Sequence, residues 1–119
     1  MPPQERDIAY LWDMREAARL IASFLHGVSY AGFEKNLMLR SAIERQLEII
    51  GEAARRVSPE FQQAHSEIAW RNITGLRNIL AHEYGEIKVD RIWLIATTNV
   101  VELIQLLDPL IPSTGDESS

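Results

Sequence analysis

The chain has 119 residues, a formal net charge of -5 and no cysteine. That length suits one domain with one core; the missing thiols exclude disulfides, thiolate metal sites and cysteine nucleophiles, and the acidic balance argues against broad, nonspecific nucleic-acid binding while leaving room for a local basic site. No apolar run reaches the roughly 20 residues that span a bilayer, and the opening Met1-Pro2-Pro3-Gln4-Glu5-Arg6-Asp7 lacks the regions of a signal peptide, so a soluble, cytoplasmic protein is expected.

A first helix is predicted over residues 5–26, where Ile8, Leu11, Trp12, Ala18, Ile21, Ala22 and Leu25 recur at helical spacing. Glu5 and Asp7 suit the positive end of its dipole, and Gly27 is placed to stop it. Residues 28–32 form a connector. A long second helix is expected over residues 33–57. It carries Leu37, Ile43, Leu47, Ile50 and Ala54 on one face and Leu39, Ala42, Ile49 and Ala53 on another. Such a helix packs on two sides, either within its own bundle or against something else, and Ala42, Gly51, Ala53 and Ala54 permit close approach.

Ser58-Pro59-Glu60 supplies a cap, a proline at the first helical position and an acid, and opens a short helix from Pro59 to about Ala64. His65 and Ser66 follow in a connector, where His65 reads as a solvated loop residue rather than a ligand. A further helix runs from about Ala69 to His82 or Tyr84, with Gly85 as its stop. The last helix starts near Asp90, a possible cap, and continues to about Leu107 with a stripe of Ile92, Trp93, Ala96, Val100, Leu103, Ile104 and Leu107. Pro109 and Pro112 then break regular structure. Residues 109–119, with Asp116 and Glu117, are expected to be a disordered acidic tail, which leaves one domain over residues 1–108. There is no strand alternation, no internal repeat and no glycine-rich phosphate loop. The predicted class is all-α: four main helices plus a short one, in an up-down bundle.

One stretch does not read as scaffold. Arg77-Asn78-Ile79-Leu80-Ala81-His82-Glu83-Tyr84-Gly85 sets a permanent cation, an imidazole and a phenol at the end of an apolar helix. On an ideal helix Tyr84 lies about 20° from Arg77, whereas His82 lies about 140° away. One helix cannot easily aim Arg77 and His82 at a single small substrate, but two copies meeting across a symmetry axis could supply both to one cleft. No carboxylate pair, second histidine or placed serine accompanies the run, so no metal site and no cofactor are expected. Histidine, arginine and phenol suit metal-independent RNA cleavage: a base takes the 2′-hydroxyl proton, a cation stabilises charge building on phosphorus, and an acid protonates the leaving 5′-oxygen. Ten of the twelve cationic residues are arginine, and Lys35, Arg40, Arg45, Arg55 and Arg56 cluster within residues 35–56 against Glu44, Glu48 and Glu52. Arginine forks onto phosphate where lysine does not. The plain alternative is that Arg77, His82 and Tyr84 only cap helix carbonyls and suit the dipole.

The run Arg77-Asn78-x-x-x-His82-x-Tyr84 resembles the Arg-x4-His-x-Tyr motif of the HEPN superfamily. Arg6 to Leu11, Ile43 to Ala53, Trp70 to Asn78 and Trp93 are similar to its HepT branch, in order and spacing over residues 5–108. The resemblance implies a helical bundle that dimerises through the motif helices, with a cleft between protomers. It implies a ribonuclease toxin of a type VII toxin–antitoxin system, with RNA as substrate and tRNA as a candidate. Arg77 and His82 would be catalytic, Asn78 and Tyr84 would bind and orient substrate, and Tyr84 would be the site of AMPylation. The implied partner is a MntA-type minimal nucleotidyltransferase that neutralises the toxin by this transfer. A non-catalytic helical dimer that binds a nucleotide or a protein partner is the alternative.

Overall fold

The computed structural model describes residues 3–112. Met1, Pro2 and most of the expected tail, residues 113–119, lie outside the described residues.

Helix α1 spans Pro3–Phe24 and buries Leu11, Ala18 and Ile21 of the predicted stripe together with Met14 and Ala17, whereas Trp12, assigned to that stripe, is 46% exposed and Ala22 is exposed too. Gly27 follows with φ of 72°, a left-handed conformation that glycine adopts without a Cβ penalty. Helix α2, Tyr30–Lys35, and helix α3, Leu37–Arg56, replace the single helix expected over residues 33–57. Asn36 causes the break. Its backbone is extended, and its side chain accepts a hydrogen bond from the Leu39 amide at 3.0 Å, capping α3. The connector is correspondingly shorter than predicted, because Ser29 caps α2 through the Gly32 amide at 3.1 Å.

Helix α3 is the centre of the fold. Ile43, Leu47, Ile50 and Ala54 are buried against α1 and the later helices, and Ala53 is buried on the second face. Leu37, assigned to the core stripe by spacing, is 67% exposed at the start of the helix. Helix α4, Pro59–Ala64, begins where Ser58-Pro59 predicts. Asp7 explains why that corner is firm. Buried on α1, it accepts hydrogen bonds from the Ser58 amide at 2.8 Å and the Ser58 hydroxyl at 2.7 Å, while the same hydroxyl accepts from the Phe61 amide. His65 is not a freely solvated side chain: its ring packs 4.3 Å from Phe61 between centroids, and Nδ1 lies 3.5 Å from Glu67.

Helix α5, Trp70–Thr74, and helix α6, Leu76–His82, are separated by a turn at Gly75. Helix α7 spans Gly85–Leu94, a wide π turn covers Ile95–Asn99, and helix α8 spans Val100–Leu107. The final helical stretch therefore begins at Gly85 rather than at Asp90, and Asp90 does not cap it. Within the π turn the Thr97 hydroxyl donates to the Trp93 carbonyl at 2.7 Å. Trp93 packs edge-on to Tyr30 and against Phe33, joining α7 to α2.

The all-α expectation holds, and no strand occurs among the described residues. The four-plus-one division does not, because Asn36, Gly75 and the π turn at Ile95–Asn99 each interrupt a predicted helix. The ordered chain also continues beyond residue 108: Asp108–Leu110 form a 3₁₀ turn and Ile111 is buried. No helix among the described residues is long and apolar enough to cross a membrane.

Candidate functional site

The site is built on α6, a helix of seven residues. Leu76 is buried, and Ile79 and Leu80 are partly buried against the core, so Arg77, Asn78 and His82 face solvent. The preceding helix, α5, sits close to α3 at Gly51, which has no side chain. A methyl there would stand 3.3 Å from the Ile73 carbonyl oxygen, tighter than an ordinary contact. Arg77, near the start of α6, projects over the groove between α6 and α3. His82 is its last residue, and Asn78 lies one turn before it. None of these three side chains makes a hydrogen bond or ion pair among the described residues. They do not serve as carbonyl caps; the Glu83 amide donates to the Ile79 carbonyl at 3.1 Å, ending the helix through the backbone.

Tyr84 departs from the expected arrangement. Glu83 and Tyr84 are extended, with Tyr84 at φ of -137° and ψ of 159°, and Gly85 takes φ of 62° to begin α7. The helix that would have carried Arg77 and Tyr84 on one face stops two residues earlier. Tyr84 is 78% exposed on the link between α6 and α7. The separation of about 140° between Arg77 and His82 is retained, since both remain on α6.

Polar tethers hold α7, and none was evident in the sequence. The Tyr30 hydroxyl donates to Asp90, Lys88 lies 3.1 Å from Glu44, and Arg91 pairs with Glu83. The hydrogen bond to Asp90, followed by desolvation and by the charges of Asp90, Glu34 and Glu86, raises the Tyr30 phenol to about 12.

Two hollows flank α6. One, of about 340 Å³, lies against α3 and includes Glu48, Gly51, Glu52, Arg55 and Arg77. The α3 residues among these recur at i, i+3, i+4 and i+7, so sequence spacing does place them on one helix face. The other, of about 600 Å³, lies between α5–α6 and the final helical stretch. Its floor includes Leu76, Ile79 and Leu103, and its rim includes Arg71 and Arg91 with Glu67 and Glu102. No cluster of three or more histidine, aspartate or glutamate side chains suited to a metal occurs among the described residues.

The model of the family described as Ribonuclease HepT-like matches residues 14–110, which include α6 and both hollows. The chain belongs to the HepT-like ribonuclease family. It is 37% identical over 100 residues to "Putative RNase MJ1380" of Methanocaldococcus jannaschii, covering 83% of this chain and 92% of that protein. It is 33% identical over 94 residues to "Probable ribonuclease HepT" of Thermococcus cleftensis, covering 79% and 86% respectively. No solved structure gives a significant match. The family match bears out the resemblance to the HepT branch.

The Tyr30–Asp90 contact is testable by pH. A phenol raised above its unfolded value stays neutral in both states below pH 10, so the contact's contribution is complete there and is lost as pH rises through about 12. Ultraviolet titration should show one of the three tyrosines ionising near pH 12, and Asp90→Ala should return that ionisation toward 10. An unchanged titration in the folded variant would contradict the contact.

Proposed function

We propose that this chain is the toxin of a type VII toxin–antitoxin system: a metal-independent RNA endonuclease, switched off when a MntA-type nucleotidyltransferase transfers AMP to Tyr84. The observation that carries this reading is the state of α6. Arg77, Asn78 and His82 are exposed on one short helix with no partner among the described residues, in a chain of the HepT-like ribonuclease family. Structural caps would be engaged with the backbone; these groups are available to a ligand.

In the proposed reaction the 2′-oxygen of RNA loses its proton and attacks the neighbouring phosphorus. The bond to the 5′-oxygen breaks, leaving a 2′,3′-cyclic phosphate, and the leaving oxygen gains a proton. His82 moves a proton in this sequence, since imidazole titrates near neutral pH. Arg77 holds the phosphate and offsets the charge that builds on its oxygens. Asn78 orients phosphate or imidazole.

The site is proposed to form between two copies. Arg77 and His82 point to different sides of α6, so a second protomer supplies the group that the first cannot aim. Tyr84 is two residues from His82 on an exposed link. An AMP there brings an adenosine and a negative phosphodiester to the imidazole end of the site, where it would obstruct and repel RNA.

His82→Ala should lower RNA cleavage by at least 10²-fold while leaving the circular dichroism spectrum and melting temperature close to wild type. Cleavage that survives in protein free of other nucleases would remove His82 from the mechanism. Co-expression with the nucleotidyltransferase should add mass in AMP units to the wild-type chain and none to Tyr84→Phe. Equal mass gains in both would place the modification elsewhere.

A further inference from the structure

We propose that Arg55 of α3 is a second RNA phosphate-binding residue, sharing with Arg77 the groove between α3 and α6. This rests on the ribonuclease reading and names a residue that the motif does not contain. The groove, of about 340 Å³, is walled on one side by Glu48, Gly51, Glu52 and Arg55 and on the other by Thr74 and Arg77. Gly51 leaves its floor without a side chain at the point where the two walls come together.

Two arginines and two glutamates line the groove, which on a simple count is neutral. The ion pairs change that count. Glu48 lies 3.3 Å from Arg45, which is outside the groove. Glu52 lies 3.2 Å from Arg55 and 3.9 Å from Arg56, the latter also outside. Each glutamate thus has a cation of its own from beyond the groove, and Arg77 has no ion pair among the described residues. Four arginines against two glutamates leave a local excess of two positive charges. Arg55 is 45% exposed in its side chain, so its pair with Glu52 is a weak surface contact that a phosphate can displace. Glu52 then remains paired with Arg56. Two guanidiniums on opposite walls can grip one phosphodiester from both sides, and each can fork onto two of its oxygens.

Arg56 provides an internal control. It is the next residue, it shares Glu52 and it carries the same charge, but it faces a different hollow that includes Tyr10, Asp13 and Arg45. The experiment compares Arg55→Ala, Arg55→Lys and Arg56→Ala in the full chain, by cleavage of single-stranded RNA and by binding of the same sequence as an uncleavable 2′-deoxy oligonucleotide. Arg55→Ala should weaken oligonucleotide binding and raise KM about tenfold, with Arg55→Lys intermediate. The slope of log affinity against log salt should shrink by about 0.7 in Arg55→Ala, one phosphate contact on a single strand. Arg56→Ala, which leaves Glu52 with Arg55 as its partner, should weaken binding less than Arg55→Ala and keep the wild-type salt slope. Wild-type protein that cuts RNA, with Arg55→Ala and Arg56→Ala changing binding equally, would overturn the Arg55 site and leave the ribonuclease reading standing. Wild-type protein that neither cuts RNA nor binds the oligonucleotide would overturn both.

Discussion

One constraint positions the later helices: the close approach of α3 to α5 at Ile73. A Cβ at Gly51 would stand 3.3 Å from the Ile73 carbonyl oxygen, so a side chain there would push the neighbouring backbone by a few tenths of an ångström. Helix α6 follows α5 directly after Gly75, so its place over α3 depends in part on that approach. The buried Leu76 then fixes the rotation of α6 and turns Arg77, Asn78 and His82 outward. Arg55 and Arg77 line the groove between α3 and α6, with Gly51 between its walls. Local packing, rather than any hydrogen bond to the motif, positions the chemistry.

The second constraint is the short link after His82. Two extended residues and a left-handed glycine turn the chain from α6 into α7. This separates the imidazole, on a helix end, from the phenol, on an exposed connection. The separation suits the proposed modification, since Tyr84 can be engaged without unwinding α6. The Tyr30–Asp90, Lys88–Glu44 and Glu83–Arg91 contacts hold the far side of the link.

Much of this was legible in the sequence where a signal is local. Gly27 takes the positive φ its position suggested, Ser58-Pro59 opens α4, and most of the α3 stripe, with Leu11, Ala18 and Ile21 of the α1 stripe, lies in the core. The misses share a physical cause. Asn36 replaces one helical residue with a cap, and so small an interruption leaves the apolar periodicity almost intact. Gly85 was read as the stop of one helix, but a left-handed glycine after a short extended link can equally open the next. The π turn at Ile95–Asn99 has no compositional mark. The tethers to Glu44 and Asp90 join residues far apart in the chain, so spacing carries no trace of them. At the site, the motif identified Arg77 and His82 as candidates, whereas the face formed by Glu48, Gly51, Glu52 and Arg55 was present in the spacing and acquired a reading only when α6 was seen above it.

The central claim is that Arg77 of one protomer works with His82 of another. It is tested most directly by mixing Arg77→Ala and His82→Ala proteins, each inactive alone, under conditions that exchange subunits. In a mixed dimer one of the two shared sites keeps both wild-type groups. With random exchange about a quarter of the wild-type RNA cleavage should return. A mixture that exchanges subunits and stays as inactive as its components would contradict the claim and place both groups in a site within one chain.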